Sequence, residues 1–303
     1  MSHHLHTCLA LALLFSTALS SSAQEYIPFR LEGNLLIIEA NLNGQTGKFL
    51  LDTGAPELIV NERYFEGMRF SRNQKQLVDF NGHTSEARRY AVTKFSIGDL
   101  TIKKQFALSV DLTSIEKVKG IQLLGIIGYS ILKDLELLFD FDRHELSIAP
   151  SQKKGFAFTV SESPDAIFDL RFSGHLPYLV AQIGKKKFRF GLDTGSEVNI
   201  IDEKSFKPVA DHFDEVKKIQ VKGITHHQQA ATSGTLQNLT IHDRPLGPLA
   251  ATVIGLEPLN EGLPIGLDEI LGMPFFGKGR VGVDYGERRM WVWGSDGLLV
   301  EGE

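Results

Sequence analysis

Apolar residues recur along the chain in short runs that are rich in β-branched side chains and are followed by glycine turns. Residues 35–42 and 178–183 form two such runs. A second run of the same kind follows each of them, at residues 48–51 and 188–192. Apolar runs of this length, bounded by turn residues, are typical of β-strands. The pattern therefore predicts a mostly β protein.

The same series of elements appears in each half of the chain. Asn61 and Asp202 follow the next apolar run and are plausible N-caps, so each predicts a short helix after it. Hairpin-like stretches come next, around Gly82 and around Gly223. Each half then closes with an apolar segment and a strand pair, at residues 123–132 and 137–148 in the first half and 270–276 and 280–293 in the second.

The spacing of matching residues indicates an internal duplication. At an offset of 141 positions, Gly33 meets Gly174, Asp52 meets Asp193, Asn61 meets Asp202, Phe65 meets Phe206 and Gly82 meets Gly223. A long internal repeat of this kind is a fold-level signal. We therefore predict two pseudo-symmetric, β-barrel-like halves, residues 24–150 and residues 151–303. A linker at about residues 150–164, where Pro, Lys, Gly and Ser collect, would join them.

The N-terminal residues predict a signal peptide over residues 1–23. Residues 9–19 are apolar but too short to span a bilayer, and small residues follow up to Ala23. A buried N-terminal helix is the alternative. Cleavage would give an exported protein, periplasmic or secreted, with no membrane span in its mature form. Cys8 is the single cysteine, so the mature chain would have no disulfide and no thiolate ligand.

Composition narrows the range of partners. The chain has 303 residues, which is enough for one large or two modest domains, and its formal net charge is −5. A mildly acidic balance without a run of Lys or Arg argues against nucleic acid as a partner. The pair His226 and His227 has no further ligand at metal-binding spacing. We therefore expect no metal and no cofactor.

The tripeptide Asp-Thr-Gly occurs twice, as Asp52-Thr53-Gly54 and as Asp193-Thr194-Gly195, each time at the end of a predicted strand. Two carboxylates about 3 Å apart cannot both ionise easily, so they share one proton. One can then act as a base toward water while the other donates to a carbonyl oxygen. The threonines can hydrogen-bond across the symmetry axis, and the glycines allow a tight turn. We predict Asp52 and Asp193 as catalytic residues, with the threonines and glycines supporting them.

A second motif follows each tripeptide. Ile127-Gly128 and Leu271-Gly272 end apolar runs at equivalent places in the two halves. Together with the tripeptides, they resemble the motifs of the pepsin and retropepsin class of aspartic peptidases. The chain is most similar to retropepsin-like bacterial proteins, with two such halves fused. The resemblance covers nearly all of residues 26–293.

The resemblance implies an all-β, bilobal acid-protease fold with the active site between the lobes. It implies an extended peptide or protein substrate in the cleft and no cofactor. Because both halves lie in one chain, we expect a monomer. In this family a hairpin covers the substrate, which predicts flaps at Gly82 and His83 and at Gly223. The first hairpin lacks the tyrosine that the pepsin branch usually has near its tip, so ordinary surface hairpins remain an alternative.

The residue after each tripeptide breaks the symmetry. Ser196 follows the second tripeptide and Ala55 the first. A serine hydroxyl can donate to the neighbouring carboxylate and favour its ionised form, whereas alanine cannot. We therefore count Ser196 among the residues that support the dyad. The asymmetry predicts an activity optimum less acidic than that of an enzyme with hydroxyls on both sides.

The sequence favours an aspartic-type endopeptidase that hydrolyses peptide bonds with a water activated by Asp52 and Asp193. A non-catalytic peptide-binding protein that has kept the cleft is the main alternative. A third interpretation, an exported β-protein with only a structural role, predicts no cleft between the halves.

Overall fold

The computed structural model describes residues 24–65, 70–78, 84–153, 155–222 and 228–293. The segment that the sequence predicts as a signal peptide, residues 1–23, lies outside these ranges. So do Gly82, His83 and Gly223, the residues expected at the flap tips, and His226 and His227.

The N-terminal half is built mainly from strands. They are β1 (Ile27–Glu32), β2 (Leu35–Leu42), β3 (Gln45–Leu51), β4 (Leu58–Asn61), β5 (Phe70–Val78), β6 (Thr84–Ile97), β7 (Leu100–Val110), β8 (Gly125–Ile127), β9 (Leu135–Asp140) and β10 (Glu145–Pro150). Its α-helices are α1 (Thr113–Lys119) and α2 (Tyr129–Leu132), and a 3₁₀ helix covers Glu62–Tyr64.

The C-terminal half repeats much of this order. Its strands are β11 (Ala166–Asp169), β12 (Arg171–Ser173), β13 (Leu176–Ile183), β14 (Lys186–Leu192), β15 (Asn199–Asp202), β16 (Phe213–Lys222), β17 (Gln228–Leu236), β18 (Leu239–Ile241), β19 (Arg244–Pro245), β20 (Leu249–Ile254), β21 (Glu269–Leu271), β22 (Arg280–Asp284) and β23 (Arg289–Trp293). Its helices are α3 (Glu203–Phe206), α4 (Glu257–Glu261) and α5 (Met273–Phe276), with a 3₁₀ helix at Lys207–His212.

The N-terminal lobe is a closed barrel. Strands β2, β3, β8, β4, β7 and β6 follow one another by hydrogen bonding, and β6 pairs back onto β2 at Ser96 and Asn41. Closure leaves no free edge between these strands. Phe49 and Phe95 fill the interior, in edge-to-face contact at 5.5 Å.

The C-terminal lobe repeats the order β13, β14, β21, β15, β20 and β17. Among the described residues, β13 pairs with β18 at Ile183 and Leu239 and does not close onto β17. This lobe is therefore a half-barrel. The prediction of an all-β, two-lobed fold is confirmed. The two halves differ in closure because β6 runs unbroken from its pairs with β7 to its pairs with β2, whereas β17 and β18 are separate strands.

A six-stranded antiparallel sheet joins the lobes, in the order β11, β23, β22, β9, β10 and β1. Its central pair is β9 with β22, in which Glu136 lies opposite Asp284 and Asp140 lies opposite Arg280. Every residue of β9 is buried, because apolar groups cover both faces of the sheet. Phe156 covers Trp291 and Trp293 on one face, at ring distances of 4.7 and 5.1 Å.

The two predicted N-caps have a different main role. Asn61 does accept a hydrogen bond from Arg63 N, at 3.4 Å, but the helix is 3₁₀. Asp202 precedes α3 without a capping hydrogen bond from its side chain, and accepts instead from Leu256 N at 3.0 Å. Asn61 makes the equivalent bond with Leu112 N at 3.3 Å. Both side chains are buried, so each ties its strand to the loop that precedes the next helix.

Candidate active site between the lobes

The two Asp-Thr-Gly loops leave β3 and β14 and meet between the lobes. In each half, a short parallel strand supports the loop: β8 pairs with β3, and β21 pairs with β14. The N–H of Asp52 donates to Ile127 O at 3.0 Å, and the N–H of Asp193 donates to Leu271 O at 3.0 Å. The apolar residue of each Ile-Gly or Leu-Gly motif therefore holds the start of one Asp loop.

Thr53 and Thr194 lock the loops together. The N–H of Thr53 donates to Thr194 Oγ1 at 3.0 Å, and the N–H of Thr194 donates to Thr53 Oγ1 at 2.9 Å. Each hydroxyl then donates to the opposite lobe, Thr53 to Leu192 O and Thr194 to Leu51 O, at 2.9 and 2.8 Å. Both threonines are fully buried, so these bonds form without competition from water. They are the cross-lobe bonds that the sequence led us to expect.

Gly54 and Gly195 bring each carboxyl against the opposite loop. The N–H of Gly54 donates to Asp52 Oδ1 and that of Gly195 to Asp193 Oδ1, both at 2.8 Å. A Cβ added to Gly54 would lie 2.5 Å from Asp193 Oδ1, and one added to Gly195 would lie 2.5 Å from Asp52 Oδ2. Only glycine allows this approach. The two carboxyl groups are hydrogen-bonded neighbours as a result.

The surroundings favour one proton on this pair. Burial raises the pKa of Asp52 well above its usual range, and the charge of Asp193 raises that pKa further. Burial also raises the pKa of Asp193, while the hydrogen bond from Asp52 acts in the opposite direction. Because the two groups titrate together, the proton belongs to the pair. The pair can therefore supply a base and an acid at the same time.

The glycines of the second motif let it pass close behind the Asp loops. A Cβ on Gly128 would lie 2.5 Å from both Ala55 O and Glu57 O, and one on Gly272 would lie 2.6 Å from Ser196 O. The residues that follow then bond to the loops, Tyr129 N to Ala55 O at 2.8 Å and Met273 N to Ser196 O at 2.9 Å. Ile127, Gly128, Leu271 and Gly272 are thus neighbours of the two Asp loops.

Ser196 contacts the dyad differently from the expectation. Its hydroxyl donates to Val198 O at 2.7 Å, so the expected bond from that hydroxyl to Asp193 is wrong. A hydroxyl has a single proton to donate. The backbone N–H of Ser196 does lower the pKa of Asp193, and that of Ala55 does the same for Asp52. The two loops are therefore more alike in their electrostatics than their sequences are.

Sequence reasoning missed an aromatic cluster beside the dyad. Tyr285, which follows β22, packs against Tyr129 and Phe172 at ring distances of 6.0 and 5.9 Å. Burial raises the pKa of Tyr285 well above its usual range, and the charges of Asp52 and Asp193 add to this. Phe141 is its counterpart in the first half, because the offset between the halves has drifted from 141 to 285 − 141 = 144 positions by this point. The repeat offset could have identified Tyr285, since it is the polar member of that matched pair.

Sequence reasoning also missed the residues that cross between the lobes at the Asp loops. His175 Nε2 lies 2.9 Å from Gly54 O. On the other loop, Glu197 accepts from Asn34 N at 3.2 Å and pairs with Lys119 Nζ at 2.5 Å. The match of Gly33 with Gly174 was the available signal, because Asn34 and His175 directly follow these glycines.

The hairpins that lead to the expected flap tips are present. β5 pairs with β6 up to Val78 and Thr84, and β16 pairs with β17 up to Lys222 and Gln228. Their tips lie outside the described residues, so the flaps stay a prediction. Within the described ranges, no three His, Cys, Asp or Glu side chains come together as a metal site would require. No helix within those ranges is both long and apolar enough to cross a membrane.

The fold thus has two β lobes, and each lobe contributes one Asp loop to the site between them. Residues 38–131, from β2 to α2, match the family model described as aspartyl protease. This match confirms the resemblance to aspartic peptidases and supports a general aspartic protease function. No curated protein matches the chain.

Proposed function

We propose that the protein is an aspartic endopeptidase whose catalytic residues are Asp52 and Asp193. The observation that carries the proposal is the contact between these two carboxyl groups, which equivalent loops of the two lobes bring together. Two buried carboxyl groups in contact favour a single proton shared between them. Thr53, Thr194, Gly54 and Gly195 hold this geometry.

The mechanism follows from the shared proton. The ionised carboxylate takes a proton from water, and the water oxygen attacks the carbonyl carbon of the peptide bond. The protonated carboxyl donates its proton to the carbonyl oxygen in the same step. The intermediate is a gem-diol, and it collapses in one further step. The dyad donates one proton to the amide nitrogen and takes one from a gem-diol hydroxyl, the C–N bond breaks, and that hydroxyl oxygen becomes the carbonyl oxygen of the new acid. The dyad ends with one proton, as it began.

The substrate class is an extended peptide or protein segment. A strand-like peptide in the cleft can pair with backbone groups of the loops beside the dyad. The hairpins β5–β6 and β16–β17 are the candidates for covering it and excluding water. We also propose that a monomer is complete, because each lobe supplies one aspartate.

The test is cleavage of a mixed peptide library by the purified chain, from acidic to neutral pH, with cleavage sites identified by mass. We expect cleavage that falls by at least about 10³-fold in Asp52→Asn and in Asp193→Asn, since either change removes the acid–base pair. Both variants should keep the circular dichroism spectrum of the parent. Peptide binding without turnover in the parent chain, unchanged in Asp52→Asn, would instead identify a peptide-binding protein.

Export is a separate part of the proposal. The apolar run at residues 9–19 and the small residues up to Ala23 support it. Expression in a bacterial host followed by fractionation should give a mature form that begins at Gln24, outside the cytoplasm. A chain that keeps Met1 and stays in the cytoplasm would contradict it.

A further inference from the structure

One hairpin turn of each lobe contacts the Asp loop of the other lobe. The β1–β2 turn carries Gly33 and Asn34, and the β12–β13 turn carries Gly174 and His175. Gly33 and Gly174 have φ values of +63° and +60°, which suit glycine. The residue after each glycine makes the cross-lobe contact.

The contact at the Asp52 loop is a hydrogen bond from an imidazole. His175 Nε2 lies 2.9 Å from Gly54 O. A carbonyl oxygen can only accept, so Nε2 carries the proton and donates it. The same Gly54 donates its N–H to Asp52 Oδ1 at 2.8 Å and lies directly against Asp193. Gly54 O and the N–H of Ala55 belong to one peptide group, and that N–H donates to Asp52 Oδ1 at 3.0 Å. A single peptide group therefore connects His175 to Asp52.

The contact at the Asp193 loop has different chemistry. Asn34 Nδ2 donates to Glu197 O at 2.9 Å, and Asn34 N donates to Glu197 Oε1. Lys119 of α1 pairs with the same carboxylate. A charged pair therefore anchors that loop, whereas an imidazole anchors the Asp52 loop. Asn34 and His175 occupy equivalent positions of the two lobes and each contacts an Asp loop, but they do so through different chemical groups.

The turn that carries His175 is fixed by its own lobe. Ser173 Oγ donates to Ile265 O at 2.6 Å and accepts from Ile265 N at 2.9 Å. His175 is half-buried, and burial lowers its pKa. The side chain therefore has a defined position, and its replacement leaves the bonds of the turn in place.

We propose that His175 is a positioning residue of the dyad, because its Nε2–H holds the Gly54–Ala55 peptide group where the Ala55 N–H reaches Asp52 Oδ1. This inference rests on the proposed function, since it assigns His175 to the machinery of that same site. It also explains why the second lobe contributes more than an aspartate: it fixes the loop that carries the first one.

The test compares His175→Ala with His175→Gln. Glutamine places an amide N–H near the position of Nε2, so it keeps the donor without the imidazole. On a peptide that the parent chain cleaves, we expect kcat to fall about 10-fold in His175→Ala, with KM within about 2-fold. His175→Gln should recover most of this loss. His212→Gln is the matched control, because His212 bonds to Asn238 within the C-terminal lobe.

A second readout does not need turnover. The carboxyl carbons of Asp52 and Asp193, followed by NMR with labelled aspartate, report the titration of the dyad. Weaker donation from the Ala55 N–H disfavours the ionised form of Asp52, so His175→Ala should move the midpoint upward by about 0.5 pH unit or more. His175→Gln should stay near the parent. A folded His175→Ala with the parent's titration and kcat would overturn the inference. If the parent chain cleaves nothing while the midpoint still moves, the proposed function fails and the positioning role stands.

Discussion

Thr53 and Thr194 exchange hydrogen bonds across the lobe boundary, each accepting from the backbone N–H of the other at 2.9–3.0 Å. Each hydroxyl also donates to a carbonyl of the opposite lobe. Each threonine therefore satisfies two polar backbone groups in a place that water does not reach. The two lobes and the dyad share one set of buried polar contacts.

Replacing either threonine by valine should cost both stability and activity. Thr53→Val leaves Thr194 N–H and Leu192 O without this partner in a buried place, which costs about 2–4 kcal/mol of unfolding free energy. The loops should also lose their relative position, so kcat should fall by about 10²-fold. Urea denaturation and peptide cleavage measure the two effects.

Serine provides the control for this prediction, because it keeps the hydroxyl and loses only a methyl group. Thr53→Ser and Thr194→Ser should stay within about 1 kcal/mol of the parent. A valine variant as stable and active as the serine variant would show that the hydroxyls do not hold the lobes together.

Gly54→Ala and Gly195→Ala should inactivate the protein more than they destabilise it. The added Cβ would meet the carboxyl of the opposite aspartate at 2.5 Å, so that carboxyl must move. Displacing it by about 1 Å should lower kcat by about 10²-fold, at a stability cost of about 1–3 kcal/mol. Cleavage assays and thermal unfolding test this.

Gly262→Ala is the matched control for the glycine prediction. Gly262 follows α4, and a Cβ there would have Leu259 O at 3.6 Å as its nearest neighbour. We expect its kcat and stability to match those of the parent. If Gly54→Ala behaved in the same way, the close approach of the two Asp loops would be wrong.

The local pattern of the sequence was enough to predict the strands and the repeat. Residues 35–42 were expected as a strand and form β2, because apolar β-branched runs with turn residues at their ends carry a strong local signal. The meeting of Asp52 with Asp193 was also predictable, since equivalent loops of a duplicated fold face one another across its symmetry axis.

The cross-lobe contacts were harder to predict because they join residues far apart in sequence. His175 contacts Gly54 across 121 positions, and Asn34 contacts Glu197 across 163. Neither pair shares a local pattern. The difference between a closed and an open barrel was hidden as well, since it depends on the break between β17 and β18 in the second lobe, where the first lobe has the continuous strand β6.

Ala55→Ser should not shift the pH profile of cleavage to acid, contrary to the expectation from sequence alone. In the second loop, the Ser196 hydroxyl bonds to Val198 O and not to Asp193. By symmetry, a serine at position 55 should bond to Glu57 O. Its backbone N–H would still donate to Asp52 Oδ1, as that of Ala55 does at 3.0 Å.

The pH–rate profiles of Ala55→Ser and Ser196→Ala, each compared with the parent, check this prediction. Midpoints within about 0.3 pH unit of the parent are expected, because neither change alters a donor to the dyad. An acid shift in Ala55→Ser together with an opposite shift in Ser196→Ala would restore the original expectation.

Glu136 should make the protein less stable as pH rises from acid to neutral. Its side chain is fully buried in the interlobe sheet, opposite Asp284. Burial raises its pKa from 4.5 to about 7, Ala157 N–H acts in the opposite direction, and the charge of Asp284 adds to the rise. The folded state therefore holds a proton that the unfolded state releases from about pH 4.5 upward. The stabilisation is complete below that pH and is lost by about pH 7, a change of about 3 kcal/mol.

Glu136→Gln should reduce the slope of unfolding free energy against pH, because glutamine does not titrate. Its side-chain oxygen can still accept from Ala157 N, as Glu136 Oε2 does at 3.0 Å. Unfolding free energies from urea titrations at several pH values between 4.5 and 7 measure the effect, since those values span the titration of Glu136. Glu287→Gln is the control. Glu287 is exposed in the turn between β22 and β23, so its replacement should leave the slope of the parent unchanged. Buried carboxyls elsewhere, such as Glu269, whose pKa burial also raises, leave a residual slope of the same sign. Equal slopes in the parent and in Glu136→Gln would mean that Glu136 is ionised in the folded protein throughout this range.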